Sequence, residues 1–450
     1  MMDSRCPLVF LVGLIGTLIS TIPPEVAAEI VIDINRGVIM PTKIAIPIFH
    51  GDSPLAQDIT HVVTHDLESS GLFSSVDSRA HIQHLASFSD NPRFEDWRLI
   101  HTQVLVHAEV VPSGDKIDVS FKVYDVVSQQ TLDRFSLSGR ASAWRQMAHM
   151  IADIIYSRIT GEKPYFNSRI VYISESYKKK RLIKRLALMD LDGANHKFLT
   201  KGETLVTTPR FSPTQQEIVY FSYVEAVNAR GRRYTKGGRL YIFNLQTGET
   251  KAIGDAHGIS FAPRYSPDGK SLIFSVARKG VSSIYTFDLQ TRKTRRLTNS
   301  NCIDTSPCYS PDGRQIVFNS DRGGSQQLYV MDADGGNVRR LSFGPGRFAT
   351  PVFSPRGDWI AFTCIAAGSF YIGVMRPDGT GLRMLAKGYM VEGPTWAPNG
   401  RVIMFTHQER SGKTLLYSVD VTGYNESRVP TPENASDAAW SPLIQSAKIE

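Results

Sequence analysis

The sequence predicts two domains, a small α/β domain followed by an all-β propeller of six blades. The main observation is a motif of an aromatic residue, then Ser or Ala, then Pro, which recurs six times. Its prolines are Pro213, Pro267, Pro311, Pro355, Pro398 and Pro442, spaced 54, 44, 44, 43 and 44 residues apart. A period of about 44 residues is typical of one four-stranded blade. Residues 41–162 lack the motif and show helical periodicity, so they predict a separate domain.

The first 28 residues have the features of a secretory signal. Arg5 precedes an apolar run over residues 8–22, and the small residues Ala27 and Ala28 favour cleavage before Glu29. An uncleaved anchor is the alternative, but the run is shorter than the about 17–25 residues that a membrane-spanning helix needs. We therefore expect an exported chain whose mature amino-terminal segment is residues 29–40.

Hydrophobic periodicity defines the elements of the α/β domain at residues 41–162. We expect strands at 43–49, 103–111, 116–126 and 131–138, and helices at 54–70 and 141–159. Gly71 and Gly161 follow the two helices, at the position where glycine commonly ends a helix. A short linker at residues 163–168 then leads to the propeller at residues 169–450.

The repeat that begins at Ser306 shows the four strands of a blade. Its first strand carries the aromatic motif, and Pro311-Asp312-Gly313 forms a tight turn. The second, third and fourth strands are expected at 315–320, 328–331 and 338–341. The two ends of the array are incomplete, since residues 170–200 lack a first strand and residues 437–443 supply only a first strand. A closed ring predicts that these two pieces form the sixth blade together.

This order of strands predicts two different faces of the propeller. Hairpins between second and third strands emerge on one face, together with the connections between blades, and only tight turns emerge on the other. The first face is expected to be basic, because it carries residues 178–181 and 230–239. We assign to it Arg232, Arg233, His257 and Thr305, the last two because they lie in expected blade-connecting loops. The alternative is a solvated surface without a partner.

Charge is divided between the two domains. Residues 29–163 carry a net charge of −5, and residues 164–450 carry +14. A basic surface can bind nucleic acid, but an exported chain without zinc-finger, helix-turn-helix or RNA-recognition motifs argues against that class of partner. An acidic protein surface is the partner that the propeller predicts.

The sequence gives no support for catalysis or for a bound cofactor. It contains no G-x-S-x-G motif, Walker loop, dinucleotide fingerprint or EF-hand loop. His61 and His65 have a spacing that suits a metal on a helix, but we expect them to be surface residues. Cys302, Cys308 and Cys364 are expected to be buried thiols, with a Cys302–Cys308 disulfide as the alternative. We therefore expect no catalytic residue, no metal and no cofactor.

The mature amino terminus is a second candidate for binding a partner. It alternates apolar and polar residues, a pattern that suits an extended strand. Such a strand can add to the sheet edge of a partner or to its own domain, and the residues alone favour neither. The candidate residues are Glu29, Ile30, Val31, Ile32, Asp33 and Ile34.

Four segments carry a resemblance to a known family. DLESSGLF at 66–73, FEDWR at 94–98, IADIIYSRITGE at 151–162 and FNSRIVYISES at 166–176 resemble the amino-terminal domain of the TolB family. The repeat resembles the WD40-like, TolB-type propeller repeat, so the resemblance covers nearly the whole chain after the signal. It implies a periplasmic adaptor of the Tol-Pal system. Such an adaptor would bind the lipoprotein Pal through the propeller and TolA through residues 29–34, for outer-membrane constriction and integrity during cell division.

Two other functions remain open from the residues. A propeller-type peptidase or hydrolase would need a nucleophile and a base, and no such pair is recognisable. A propeller that binds a small molecule in its central channel would need no motif that sequence could show.

Overall fold

The computed structural model describes residues 40–51, 53–179, 181–227, 233–253 and 259–444, and only the backbone of 225–227 and 233–236. The expected signal, the candidate residues Glu29 to Ile34, and Arg232 and His257 lie outside these ranges. Within these ranges, no helix is long and apolar enough to cross a membrane.

The first domain packs helices on both faces of a five-stranded sheet. Its elements are β1 Thr42–Ala45, α1 Pro54–Ser69, β2 Phe73–Ser75, α2 Phe94–Leu99, β3 Val104–Ser113, β4 Lys116–Asp125, β5 Gln130–Arg140 and α3 Trp144–Thr160. The strand order is β2-β1-β3-β4-β5, with β1 parallel to both of its neighbours. All six expected elements are present, whereas β2 and α2 are short and were not expected. Strand β1 ends earlier than expected, because Pro47 has no N–H to continue a ladder.

Local chemistry sets the ends of the long helices. The side chain of Ser53 accepts a hydrogen bond from the backbone N–H of Leu55, which caps the start of α1. Gly161 ends α3 with φ 70°, a conformation that costs glycine little. Helices α1 and α3 pack together on one face of the sheet through fully buried Ile59 and Ile151. His61 and His65 lie on the exposed side of α1, as expected.

Six four-stranded antiparallel sheets form the propeller. Five blades are continuous in sequence: β9 Val206–Phe211, β10 Glu217–Val227, β11 Arg233–Asn244 and β12 Thr250–Ile253; β13 Ile259–Tyr265, β14 Ser271–Arg278, β15 Val281–Asp288 and β16 Thr294–Arg296; β17 Asp304–Tyr309, β18 Gln315–Ser320, β19 Gln327–Asp332 and β20 Arg339–Arg340; β21 Arg347–Phe353, β22 Ile360–Ala366, β23 Ser369–Met375 and β24 Arg383–Gly388; β25 Met390–Trp396, β26 Val402–Gln408, β27 Thr414–Asp420 and β28 Ser427–Val429. The sixth, the closing blade, joins β29 Asn434–Trp440 to β6 Arg169–Lys178, β7 Arg181–Asp190 and β8 Lys197–Phe198.

The closing blade confirms the prediction made from the two incomplete ends. Strand β29, at the carboxyl end of the chain, is antiparallel to β6 at the start of the propeller, with Trp440 opposite Ile170. Each of the six first strands also contacts the first strand of the next blade, and the ring closes from β29 to β9. The ring of blades is therefore closed, and each second strand is paired on both sides within the described residues.

The recurring Ser-Pro motif is explained by the turn that follows each first strand. In one blade the hydroxyl of Ser310 donates to Asp312 Oδ1 at 2.6 Å and accepts from the N–H of Gln315 at 2.9 Å. Ser266 makes the same pair of bonds with Asp268 and Ser271. A buried serine thus ties the tight turn to both strands that it connects.

Each first strand also contains a bulge five residues before the proline of the motif. The residue there has φ between 48° and 65°, and the pairing with the second strand shifts at the same place. A bulge increases local twist and bends a strand, which suits strands that surround a channel. The six residues are Thr208, Ala262, Ser306, Thr350, Gly393 and Asp437.

Candidate partner-binding surface

The two faces of the propeller differ in what covers them. We call the face that carries the hairpins at Lys179, Lys279 and Gly412 the loop face, and the face that carries the turns at Asp312 and Asn425 the turn face. The first domain packs on the turn face. There Asn425 Nδ2 donates to the carbonyl oxygen of Ser69 at 2.8 Å, across the domain boundary.

Charged groups extend the contact between the domains. Glu162, just after α3, accepts from Arg356 and from Arg401, the latter at 3.3 Å. Both arginines lie in tight turns between first and second strands. Arg145, on α3, forms an ion pair with Asp192 in a turn of the closing blade. The contact therefore reaches three adjacent blades.

The linker is held between α3 and the closing blade. Asp153 accepts hydrogen bonds from the backbone N–H groups of Tyr165, Phe166 and Asn167 at 2.7–3.0 Å. Burial nevertheless raises the pKa of Asp153 to about 6. The indole N–H of Trp440 donates to the hydroxyl of Ser168 at 2.9 Å. The last strand of the propeller and the linker are thus fixed to each other.

The contacts that join the first domain to the propeller lie on the turn face, and the loop face exposes apolar side chains. Leu205, Ile259 and Ile303 occupy the same position of three repeats, six residues before the aromatic of the motif. They are 36%, 41% and 37% exposed, at the ends of blade connections. Three larger exposed residues lie on the same face, namely Tyr177, Phe343 and Tyr389. A set of exposed apolar residues on one face indicates a protein-binding surface.

Cations lie on the same face as these apolar residues. The guanidinium of Arg410 lies 5.8 Å from the centre of the Tyr389 ring, and that of Arg340 lies 4.9 Å from the centre of the Phe343 ring, so two aromatic side chains of this face lie against a cation. Exposed cations occur in hairpins and connections of at least four blades, at Lys178, Lys179, Lys201, Lys279, Arg347, Lys387, Arg410 and Lys413. Such a surface favours a partner that offers carboxylates around an apolar centre.

The structure places two of the expected site residues and corrects one. Thr305 is not in a loop. It is the second residue of β17, half-buried and opposite Asn319, because the strand begins earlier than the sequence indicated. Its neighbour Asp304 is fully buried and bonded to Arg322 at 3.0 Å, which fixes the start of the strand. Arg233 begins β11, where its backbone pairs with Val227 in a long hairpin.

The channel contains charged residues that the sequence did not single out. Glu392 occupies the repeat position of Thr305, toward the loop face, and desolvation by the surrounding protein together with the nearby Asp437 raises its pKa. Arg210 and Arg264 line a cavity of about 350 Å³ toward the turn face. Burial and the nearby Arg264 lower the pKa of Arg210 to about 9. The sequence could have indicated these two arginines, since each directly precedes the aromatic residue of its Ser-Pro motif.

The three cysteines of the propeller are free thiols. Cys308 and Cys364 are buried, and Cys302 is half-buried. Burial raises the pKa of Cys364 to about 11. The expectation of unpaired thiols is therefore confirmed, although Cys302 is less buried than expected.

Comparison with known proteins decides the family. A family model of the TolB beta propeller domain matches residues 156–444, and one of the TolB amino-terminal domain matches residues 30–132. The chain belongs to the TolB family. The Tol-Pal system protein TolB of Paramagnetospirillum magneticum is 55% identical over an alignment of 428 residues, which covers 93% of this chain and 94% of that relative. The crystal structure of TolB from Acinetobacter baumannii has a TM-score of 0.80 at 30% identity and covers 90% of this chain and 97% of its own. The expected TolB fold, an α/β domain and a six-bladed propeller, is confirmed.

Proposed function

We propose that this chain is a non-enzymatic adaptor of the Tol-Pal system in the periplasm. The observation that carries the proposal is that the two faces of the propeller contact different things. The turn face binds the chain's own first domain, and the loop face presents apolar and cationic side chains to solvent. An adaptor needs such a free surface on a rigid scaffold.

The loop face is our candidate for binding the peptidoglycan-associated lipoprotein Pal. Exposed Ile259 and Ile303 lie at the ends of blade connections, and Lys279 and Arg347 lie on the same face. Apolar groups at the centre of an interface supply most of the affinity, while cations at its rim increase the rate of association. Thr305, His257, Arg232 and Arg233 remain candidate contacts.

The amino-terminal segment is our candidate for binding TolA. Residues 29–34 alternate apolar and polar side chains, and they precede β1 by only a few residues. A strand at a chain end can pair with the edge of a partner's sheet, where main-chain hydrogen bonds provide affinity. An adaptor that binds both partners would link Pal at the outer membrane to TolA, in support of outer-membrane invagination and envelope integrity during cell division.

Binding measurements with purified Pal and TolA test both assignments. We expect Pal to bind the chain of residues 29–450 and also a chain that begins at residue 38, whereas TolA binds only the longer chain. The pair Lys279→Glu and Arg347→Glu should weaken Pal binding, most strongly at low salt. The matched control is Lys270→Glu with Arg314→Glu, an equal change of charge at exposed positions of the turn face. Equal Pal affinity of the two double variants would reject the loop face as the Pal-binding surface. TolA binding to the shorter chain would reject the amino-terminal segment as the TolA-binding site.

A further inference from the structure

A buried polar cluster lies where α3 meets the closing blade. His149 from α3 faces Asp190, the last residue of β7, and Asp192 in the turn that follows. One ligand-type atom of each of the three residues lies within 4.8 Å of the others. We propose that His149, Asp190 and Asp192 form a binding site for a divalent transition-metal ion between the two domains. This site shares no residue with the loop face or with residues 29–34.

The first argument is the state of the His149 ring. Its Nδ1 is 2.6 Å from Oδ2 of the buried Asp66, so Nδ1 carries the proton and donates it. Its Nε2 is buried without a hydrogen-bond partner, and the nearest oxygen of Asp192 is 3.9 Å away. The side chain of His149 is only 3% exposed. A carboxylate on one ring nitrogen and a free lone pair on the other is the usual arrangement of a metal-binding histidine.

The second argument is the spacing of the ligands. Zinc with four ligands has bonds of about 2.1 Å, which place neighbouring ligand atoms about 3.4 Å apart. The separations in the cluster are at most 4.8 Å and so exceed this value by at most about 1.4 Å, which small rotations of the side chains can supply. The loop keeps both carboxylates near the site, because Asp192 accepts from the N–H of Ala194 at 3.0 Å and Asp190 accepts from Asn195 at 2.6 Å.

The third argument is charge. Three carboxylates, Asp66, Asp190 and Asp192, meet in or beside the cluster. Two guanidinium groups lie against them, Arg145 on Asp192 and Arg169 at 3.7 Å from Asp190. With a neutral His149 the cluster carries a net negative charge in buried surroundings, and a cation offsets it. One imidazole nitrogen with carboxylate oxygens suits zinc or another first-row divalent ion better than calcium or magnesium.

Protons compete with the metal at this site. Burial acts to lower the pKa of His149, but Asp66 and Asp192 outweigh it and the pKa is raised. Because the ion must replace a proton, binding should be measured at about pH 8. The ion would join ligands from both domains, so occupancy would also strengthen their contact.

Titration calorimetry with Zn²⁺ on untagged residues 29–450 tests the site. We expect one ion per chain, and no ion at this site in His149→Gln or Asp190→Asn. Asp66→Asn should bind about 10- to 100-fold more weakly, because it loses only the group that orients the ring. The control is His61→Gln with His65→Gln, which removes the exposed histidine pair of α1 and should bind as the parent does. Circular dichroism verifies that each variant is folded.

Pulsed electron paramagnetic resonance with one Cu²⁺ per parent chain provides a test that needs no variant. The proposed site predicts coupling to a single imidazole. The histidine pair of α1, or His50 with His107, would give two imidazoles. Absence of Zn²⁺ binding by the parent chain, unchanged affinity in a folded His149→Gln chain, or a two-imidazole spectrum would each overturn the proposal.

Discussion

Replacing Trp440 by alanine should weaken the propeller and also release the linker. Trp440 is 8% exposed, and its ring centre is 6.1 Å from that of Tyr165. About 200 Å² of buried aromatic surface at about 25 cal/mol per Å² gives about 5 kcal/mol as an upper limit. The lost hydrogen bond to Ser168 adds about 1 kcal/mol. Allowing for relaxation, we expect the free energy of unfolding to fall by about 3–5 kcal/mol.

Urea unfolding followed by far-ultraviolet circular dichroism measures the loss, and chymotrypsin reports on the linker. Tyr165 and Phe166 are buried in the parent, so cleavage after them should accelerate in Trp440→Ala. Trp396→Ala is the matched control. Trp396 has the same repeat position, is 5% exposed and donates to the Val352 carbonyl oxygen at 3.0 Å, so its hydrogen bond joins two blades and does not involve the linker. A loss below about 1 kcal/mol in Trp440→Ala, or equal linker cleavage in both variants, would refute the reasoning.

Three further predictions follow from buried or paired groups. Burial, with His50 at 2.8 Å and nearby Lys122, lowers the pKa of His107 to about 4. Below pH 6.5 the unfolded chain binds a proton at this histidine and the folded chain does not, so the free energy of unfolding should fall by about 3 kcal/mol between pH 6.5 and pH 4. In acid unfolding, His107→Gln should reduce this dependence on pH. Glu162→Gln should cost up to about 1 kcal/mol in urea unfolding, with a smaller effect at 1 M salt, and an effect that grows with salt would contradict ion pairing. In native residues 29–450 a thiol reagent at pH 8 should modify Cys302 fastest, whereas rapid modification of Cys364 would contradict its burial.

Much of the architecture followed from local patterns. The Ser-Pro motif predicted six blades because it encodes a turn that a buried serine holds to both neighbouring strands, as at Ser310. The helical periodicity and Gly161 located α3 to within a few residues. The short elements β2 and α2 were missed, since three or six residues show no clear period and are held by tertiary contacts.

The candidate surface was only partly predictable. The order of strands indicated which face carries the loops, but Thr305 proved to lie inside a strand. The sequence did not predict that Ile259 and Ile303 are exposed, because an isoleucine next to a strand is normally expected to be part of the core. The domain contact through Asp192 joins positions far apart in sequence, and no local pattern reports such a pair.

By itself the sequence determined the two-domain division, the number of blades and the closure of the ring, because each depends on short-range turn chemistry and on a repeat count. Only the tertiary structure decided that residues 40–162 pack on the turn face, whereas Ile259 and Ile303 stay exposed on the loop face among the residues that the structure describes. It also decided that His149 and Asp192 meet in a buried cluster. The physical reason is that docking depends on complementary surfaces and on charges brought together by the fold, and neither is encoded in the spacing of residues along the chain.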